Sequence, residues 1–434
     1  MTLLAAWPAR RAVDATRLDR WGPLVPWRLG AFAGVVAPIA AWGPAGTIET
    51  GRVTFGDRAA RGDWLRAARI TIAGDAIVAA TDLAGGFPLH WLDRAEGPMI
   101  ATDPRALIRL DPDAAALTPA VGGRPIARPG RTPFAGMRAL GPGDVARWEG
   151  VGPPAITSDA AWTRPPADSP LPDLKALLAV EVAACLDLPA DARVAVALSG
   201  GVDSSAVAAL AAASGRPITA VAVGTRHGSE TDQAETVARG LGLAFEAHEL
   251  TAADLATMLP GLIDGLACWD AGTLAIQAPL AHVARRLAGR FDLLLTGYGA
   301  DLLFAGVVDP DLAGRAAECS LADELATALT GPDTAPWPPI APGPVLRHPY
   351  LSAAMVRAAL ALPMTAKRRG GAVKHCLRHA VDGLLPAEVA WRRKSGVHEG
   401  SRMDLLMADA LGPGDDASWT GLLEARARAV LGVA

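Results

Sequence analysis

The residues best suited to chemistry form one heptapeptide, SGGVDSS at 199–205. The adjacent Gly200 and Gly201 let the chain turn tightly and bring backbone N–H groups close to an anion. Before them, RVAVALS (193–199) suits a buried parallel strand; after them, SSAVAALAAAS (204–214) is a good helix former. The loop therefore opens a helix, whose N-terminus carries partial positive charge and free N–H groups that hold phosphate well. Ser199, Ser204 and Ser205 add hydroxyl donors. Asp203 is odd beside an anion unless a cation bridges it to the phosphates, so the loop predicts Mg2+ next to a polyphosphate. The GxxxxGK[ST] pattern of a Walker A loop is absent. The plainer alternative is a glycine turn with Asp203 or Ser204 capping the helix. The full heptapeptide after a buried strand favours the anion loop.

Strands and helices must alternate to hold such a loop. PITAVAVG (217–224) reads as a second strand, DQAETVARGLG (232–242) as a helix, and FDLLLTG (291–297) as a third strand. That alternation predicts an α/β domain with a parallel sheet covered on both faces. Residues 1–150 read instead as β-rich, with ARITIAGDAIVAATD (68–82) and PLHWLD (88–93) between Gly, Asp and Pro turns. A Pro-rich stretch at 151–173 predicts an extended linker between the two domains, and a helical pattern starts near Leu174 and opens the second domain, 174–434. A second Pro-rich loop occupies 331–344.

Composition narrows the function classes. The 434 residues suit about two to three domains. Hydrophobic residues make up 51% and charged residues 20%, which excludes global disorder. A formal charge of −4 argues against nucleic acid bound through bulk charge. Cys185, Cys268, Cys319 and Cys376 lie far apart with no CxxC pair, so neither a disulfide scaffold nor a zinc ribbon is expected. The apolar stretch 29–42 is short and contains Pro38, so no membrane span is expected. The N-terminus lacks a basic region ahead of an apolar one, so the expected location is the cytoplasm.

The heptapeptide resembles the pyrophosphate loop of ATP pyrophosphatases that activate carboxylates as AMP adducts. LLTGYGADLLFAG (294–306), RHPYLSAAMVRAALALP (347–363) and VKHCLRHAVDGLLPAEVAWRRKSGVHEGS (373–401) resemble the asparagine-synthetase family in order and spacing. TDLAGGFPLHW (81–91), ATDPRALIRL (101–110) and TPFAGMRALGPGDV (132–145) are similar to its N-terminal glutaminase-type sandwich. Within the family, Tyr298 and the KSGVHEG segment resemble beta-lactam synthetase, and the total length resembles the lasso peptide macrolactam synthetases. The resemblance implies ATP and Mg2+ as cofactors and a precursor peptide as substrate. It also implies a leader-peptide-binding protein and a protease as partners. The alternatives are closure of a small amino acid derivative to a β-lactam, or a non-catalytic peptide-binding scaffold.

The resemblance also assigns residues. Asp203 and Asp301 follow two strands of a parallel sheet, where loops converge, and would share Mg2+. Val223, Gly224 and Gly297 fall at nucleotide-binding positions, and Lys374 at a pyrophosphate contact. Lys394 matches the catalytic lysine, which would neutralise charge on the adenylate; its plainer reading is a solvated basic run with Arg392 and Arg393. Tyr298 would take a proton from the attacking amine. An acid should orient Tyr298: spacing back from His348 points to Asp333, with Glu318 and Glu324 as alternatives. Glutamine-using members carry Cys directly after the initiator Met. Thr2 stands here, which implies a degenerate glutaminase domain and an amine supplied by the substrate.

Overall fold

A computed structural model describes residues 3–433 apart from 22, 30, 37–42, 62–63, 74–75, 112, 114–115, 118–125, 160–171, 332–342 and 393–396. Thr2, Asp333 and Lys394 lie outside the described residues.

The N-terminal half folds as two facing antiparallel sheets of six strands. One runs Met137–Ala139, His90–Leu92, Met99–Ala101, Leu4–Pro8, Phe32–Val36 and Val25–Leu29 in spatial order. The other runs Ala155–Thr157, Val145–Glu149, Ala76–Ala80, Trp64–Ala73, Arg52–Arg58 and Gly43–Glu49. Strand periodicity of two turns alternate residues inward. Val53, Phe55, Ile70 and Ile77 of one sheet thus share a core with Leu4, Trp91 and Ile100 of the other. Trp91 and Trp148 meet edge to face at 5.9 Å, a geometry the ring quadrupoles favour. Fully burying each large apolar side chain contributes roughly 1.5–3 kcal/mol. The segment read as a Pro-rich linker opens with the strand Ala155–Thr157, which pairs with Val145–Glu149 in the second sheet.

The C-terminal half is built on five parallel strands. Their spatial order is Ala244–Glu249, Ile218–Gly224, Val194–Ala197, Leu293–Leu295 and Val345–Arg347. Val194, Val196, Ile218 and Leu293 face the helices Leu174–Cys185 and Val202–Ala212. Ala195, Val221 and Leu294 face the helix Ala271–Leu287 on the other side. Both faces are covered over the three inner strands, which is why Ile218–Gly224, Val194–Ala197 and Leu293–Leu295 are almost continuously apolar. The chain adds strands outward in one direction, then returns to add them on the other side of Val194–Ala197. The reversal point lies between Val194–Ala197 and Leu293–Leu295. In open α/β sheets, ligands bind at the carboxyl ends beside such a reversal. No helix among the described residues is long and apolar enough to cross a membrane.

Polar joints connect the halves. Arg105 donates to the Asp264 backbone oxygen at 2.7 Å and pairs with its carboxylate at 3.1 Å. Arg347, at the end of the outer parallel strand, pairs with Asp57 of the sandwich at 2.9 Å and donates to the Cys185 carbonyl at 2.7 Å.

Candidate active site

Two loops flank the reversal point. The first, 198–201, passes from the strand Val194–Ala197 into the helix Val202–Ala212. Gly200 has φ of +70°, and a Cβ there would approach Gln233 Cγ to 2.7 Å. Glycine is therefore required twice over, by backbone conformation and by contact. Gly201 is the N-cap, and no side chain caps this helix among the described residues. Neither Asp203 nor Ser204 acts as a plain cap, so the first N–H groups remain available to an anion. Ser204 Oγ instead accepts from Ser199 N at 3.1 Å and lies 3.0 Å from Ser199 Oγ, which fixes the loop. Ser205 Oγ is fully buried without a hydrogen-bond partner among the described residues. A buried hydroxyl in that state marks a place for a ligand atom or water.

The second loop, 296–299, follows the strand Leu293–Leu295 and leads into the short helix Ala300–Leu303. A Cβ on Gly297 would lie 2.6 Å from Ser204 N, so this loop packs directly on the first helical turn of its neighbour. Gly299, at φ of +101°, turns the chain so that Asp301 enters the first turn of the short helix.

Lys374 joins the two loops. Its Nζ lies 2.5 Å from Asp203 Oδ2 and also pairs with Asp301 Oδ1. Burial disfavours the ammonium, but the two carboxylates outweigh it and raise its pKa above the usual lysine value. The sequence points to a metal between the aspartates and to Lys374 on pyrophosphate. In the structure the lysine ammonium lies between the two aspartates. The donor set fits Mg2+: two hard carboxylates converge on one point. Mg2+ commonly takes one or two carboxylates and completes its octahedron with phosphate oxygens and water. Asp203 and Asp301 would hold it and neutralise part of its charge.

Sequence reasoning missed three supports of this site. Tyr350, fully buried, donates from its hydroxyl to the Asp203 carbonyl at 3.2 Å. Burial first, then Asp203 and Asp301, push its phenol well above the ordinary value, so it remains a donor. His348 Nδ1 lies 2.6 Å from Thr296 Oγ1, and the same hydroxyl accepts from Tyr298 N at 3.1 Å. Burial, with Arg66 adding to it, pushes His348 down to about 3. The imidazole is thus neutral, and one hydrogen is shared between its Nδ1 and the Thr296 hydroxyl. Tyr298 is half-buried with its ring 5.5 Å from that of His348. The only local hint was the RHPYLS segment, whose residues reach the site from a strand that is three residues long.

Val223 and Gly224 lie at the carboxyl end of the strand Ile218–Gly224. The Gly224 carbonyl accepts from Leu250 N at 2.9 Å, and a Cβ on Gly224 would meet Ser229 Oγ at 2.5 Å. The following turn is tied to the segments on either side of 393–396. Arg392 donates to Glu230 at 2.8 Å, and Thr225 Oγ1 donates to the Ser401 carbonyl at 2.6 Å. Glu318 lies on the helix Gly314–Thr330 and acts on the ammonium of Lys367, which burial pushes down to about 8.

The Asparagine synthase family matches residues 173–331 and 341–413, more than half of the chain. The carboxyethyl-arginine beta-lactam-synthase of Streptomyces clavuligerus is 30% identical over 343 residues, 77% of this chain and 64% of that protein. The glutamine-hydrolysing asparagine synthetase B of Escherichia coli (strain K12) is 26% identical over 233 residues, 49% of this chain and 42% of that protein. The chain thus spans less than two thirds of the length of either relative. Among solved structures, the NMN synthetase of Francisella tularensis matches at a TM-score of 0.29 and 15% identity, over 60% of this chain and 94% of that one. The family match alone covers both loops, the two aspartates and Lys374, and on it the chain belongs to the asparagine synthase family.

Proposed function

We propose that this chain is an ATP-dependent, AMP-forming ligase that closes an amide within one substrate, a precursor peptide whose side-chain carboxylate joins its N-terminal amine. One observation carries the reading: Asp203 and Asp301, from loops after two neighbouring parallel strands, converge on one cation beside an uncapped helix N-terminus. In the first step a substrate carboxylate oxygen attacks the α-phosphorus of ATP. The bond to pyrophosphate breaks, and the 199–205 loop holds the leaving group through its N–H groups and hydroxyls. Mg2+, when bound by Asp203 and Asp301, supplies charge neutralisation there. In the second step the amine attacks the acyl carbon, AMP leaves, and Tyr298 takes the amine proton. Lys394 stabilises the charge that builds up in both steps. Holding amine and carboxylate in one cleft replaces a bimolecular encounter, an advantage of about 7–11 kcal/mol at best. The N-terminal sandwich is a retained glutaminase-type scaffold, suited to docking a leader-peptide-binding protein or protease.

The 30% identity to a beta-lactam synthase supports a second reading, closure of a small amino acid derivative such as carboxyethyl-arginine. One assay separates the two. The protein is given Mg–ATP with either peptides carrying an Asp or Glu side chain within reach of a free N-terminus, or carboxyethyl-arginine. AMP, pyrophosphate and a peptide lighter by one water are expected. Turnover of the small substrate alone would replace the first reading with the second. ADP and phosphate as products would overturn both.

A further inference from the structure

Helix His375–Ala380 spans six residues, and its N-cap, Lys374, has a left-handed backbone with φ of 56°. A helix this short is marginal by itself. His375 and His379 stand at positions i and i+4, which face each other along one side of a helix. Their Nε2 atoms are 3.2 Å apart and their ring centroids 4.4 Å. The Trp391 ring stands edge-on to both, 5.0 Å from His379 and 5.8 Å from His375. Trp391 is 44% exposed and His379 is exposed, so the pair opens to solvent.

The geometry points to a chelating site for a divalent transition metal at His375 and His379. Imidazole nitrogen suits Zn2+, Ni2+ and Cu2+ rather than Mg2+. At metal–nitrogen distances of about 2.0–2.1 Å, two nitrogens 3.2 Å apart subtend roughly 100° at the metal, near the tetrahedral angle. Without metal, the same contact is one hydrogen bond between the two rings. The two remaining coordination positions fall to water or to a ligand from outside. An ion here links one end of the short helix to the other and fixes the turn that presents Lys374 to Asp203 and Asp301. The site is separate from the aspartate pair and differs from it in donor chemistry, nitrogen against oxygen.

The test uses untagged protein, freed of metal with a chelator and then kept in Mg2+ so that carboxylate sites are not scored. Zinc chloride is titrated in by calorimetry, and Ni2+ quenching of tryptophan emission is followed alongside. One saturable zinc per chain is expected, with a rise in Tm. His379→Ala and His375→Ala should each weaken binding by at least about tenfold, since even an outer-sphere partner of a metal site is worth 10–100-fold. Trp391→Phe should bind zinc normally and lose the Ni2+-dependent part of the quench. His379 is exposed, so its variant should fold even if His375→Ala does not. Zinc binding of unchanged affinity in His379→Ala, or no saturable binding below millimolar zinc, would overturn the site.

Discussion

Asp57 and Arg347 lie 290 positions apart and share a two-armed ion pair, Nε to Oδ2 at 3.0 Å and Nη2 to Oδ1 at 2.9 Å, with both side chains 1% exposed. The pair bolts the sandwich to the outer strand of the parallel sheet. His348 and Tyr350, which support the Tyr298 loop and the Asp203 turn, follow directly on that strand. The N-terminal half therefore braces the site from behind.

Removing one partner should cost more than the pair contributes. Asp57→Asn is expected to destabilise the protein by about 3–5 kcal/mol, because the guanidinium stays buried without its counter-charge. Asp57→Leu with Arg347→Met should be less damaging than either single change. Urea unfolding of Asp57→Asn, of Asp57→Leu and Arg347→Met singly, and of the double variant checks this; a double variant as weak as the sum of its two singles would assign the effect to packing.

The strand–loop–helix at 199–205 was legible because all its signals are local: an apolar run, two glycines, one acid, a helix former. The strands Val194–Ala197, Ile218–Gly224 and Leu293–Leu295 were legible for the same reason. The two outer strands were not. Ala244–Glu249 is half-exposed and carries Glu and His, and Val345–Arg347 is too short to show a period. The Asp57–Arg347 joint joins positions no local pattern links. The contact of Lys374 with Asp203 and Asp301 was not legible for a third reason: its left-handed φ and the close approach of Gly306 to Asp301 and Lys374 are set by tertiary packing.

The Lys374 ammonium and a bound cation should compete for the same carboxylates. Lys374→Met leaves Asp203 and Asp301 facing each other, so its Tm should fall in metal-free buffer and recover with Mg2+. Wild-type Tm should respond far less to Mg2+ in the absence of nucleotide. Asp203→Ala should stay folded and lose pyrophosphate formation from ATP. Pyrophosphate release at near wild-type rate with excess Mg2+ would show that the 199–205 loop is not the phosphate site.

Two buried histidines set a pH dependence. Burial pushes His348 down to about 3, and burial against the pull of Asp103 pushes His90 down to about 4, both from 6.5. An unfolded chain binds more protons between those values and 6.5. Their contribution is thus complete above about pH 6.5 and is lost as pH falls, with a slope of up to about 1.4 kcal/mol per pH unit for each histidine. Urea midpoints should fall between pH 7 and pH 5. His348→Gln, which retains a partner for Thr296, should fall less steeply; an identical slope would remove His348 from this account.

Tyr298 separates activation from ring closure. Its backbone is anchored by Thr296 and its ring leans on His348, so Tyr298→Phe keeps the packing and removes only the hydroxyl. Attack of a carboxylate on ATP needs no base, whereas the amine must lose a proton. Tyr298→Phe should therefore keep carboxylate-dependent exchange of pyrophosphate into ATP and lose amide formation by about 10²–10⁴-fold, the usual worth of a general base. Lys394→Met should lose both, since that lysine is assigned to charge in both steps. Exchange and product formation are measured on the same preparations. Equal loss of both in Tyr298→Phe would move Tyr298 to nucleotide or substrate binding. Survival of both would give the proton to another group, and the acids at Asp333 and Glu318 would be the next to replace.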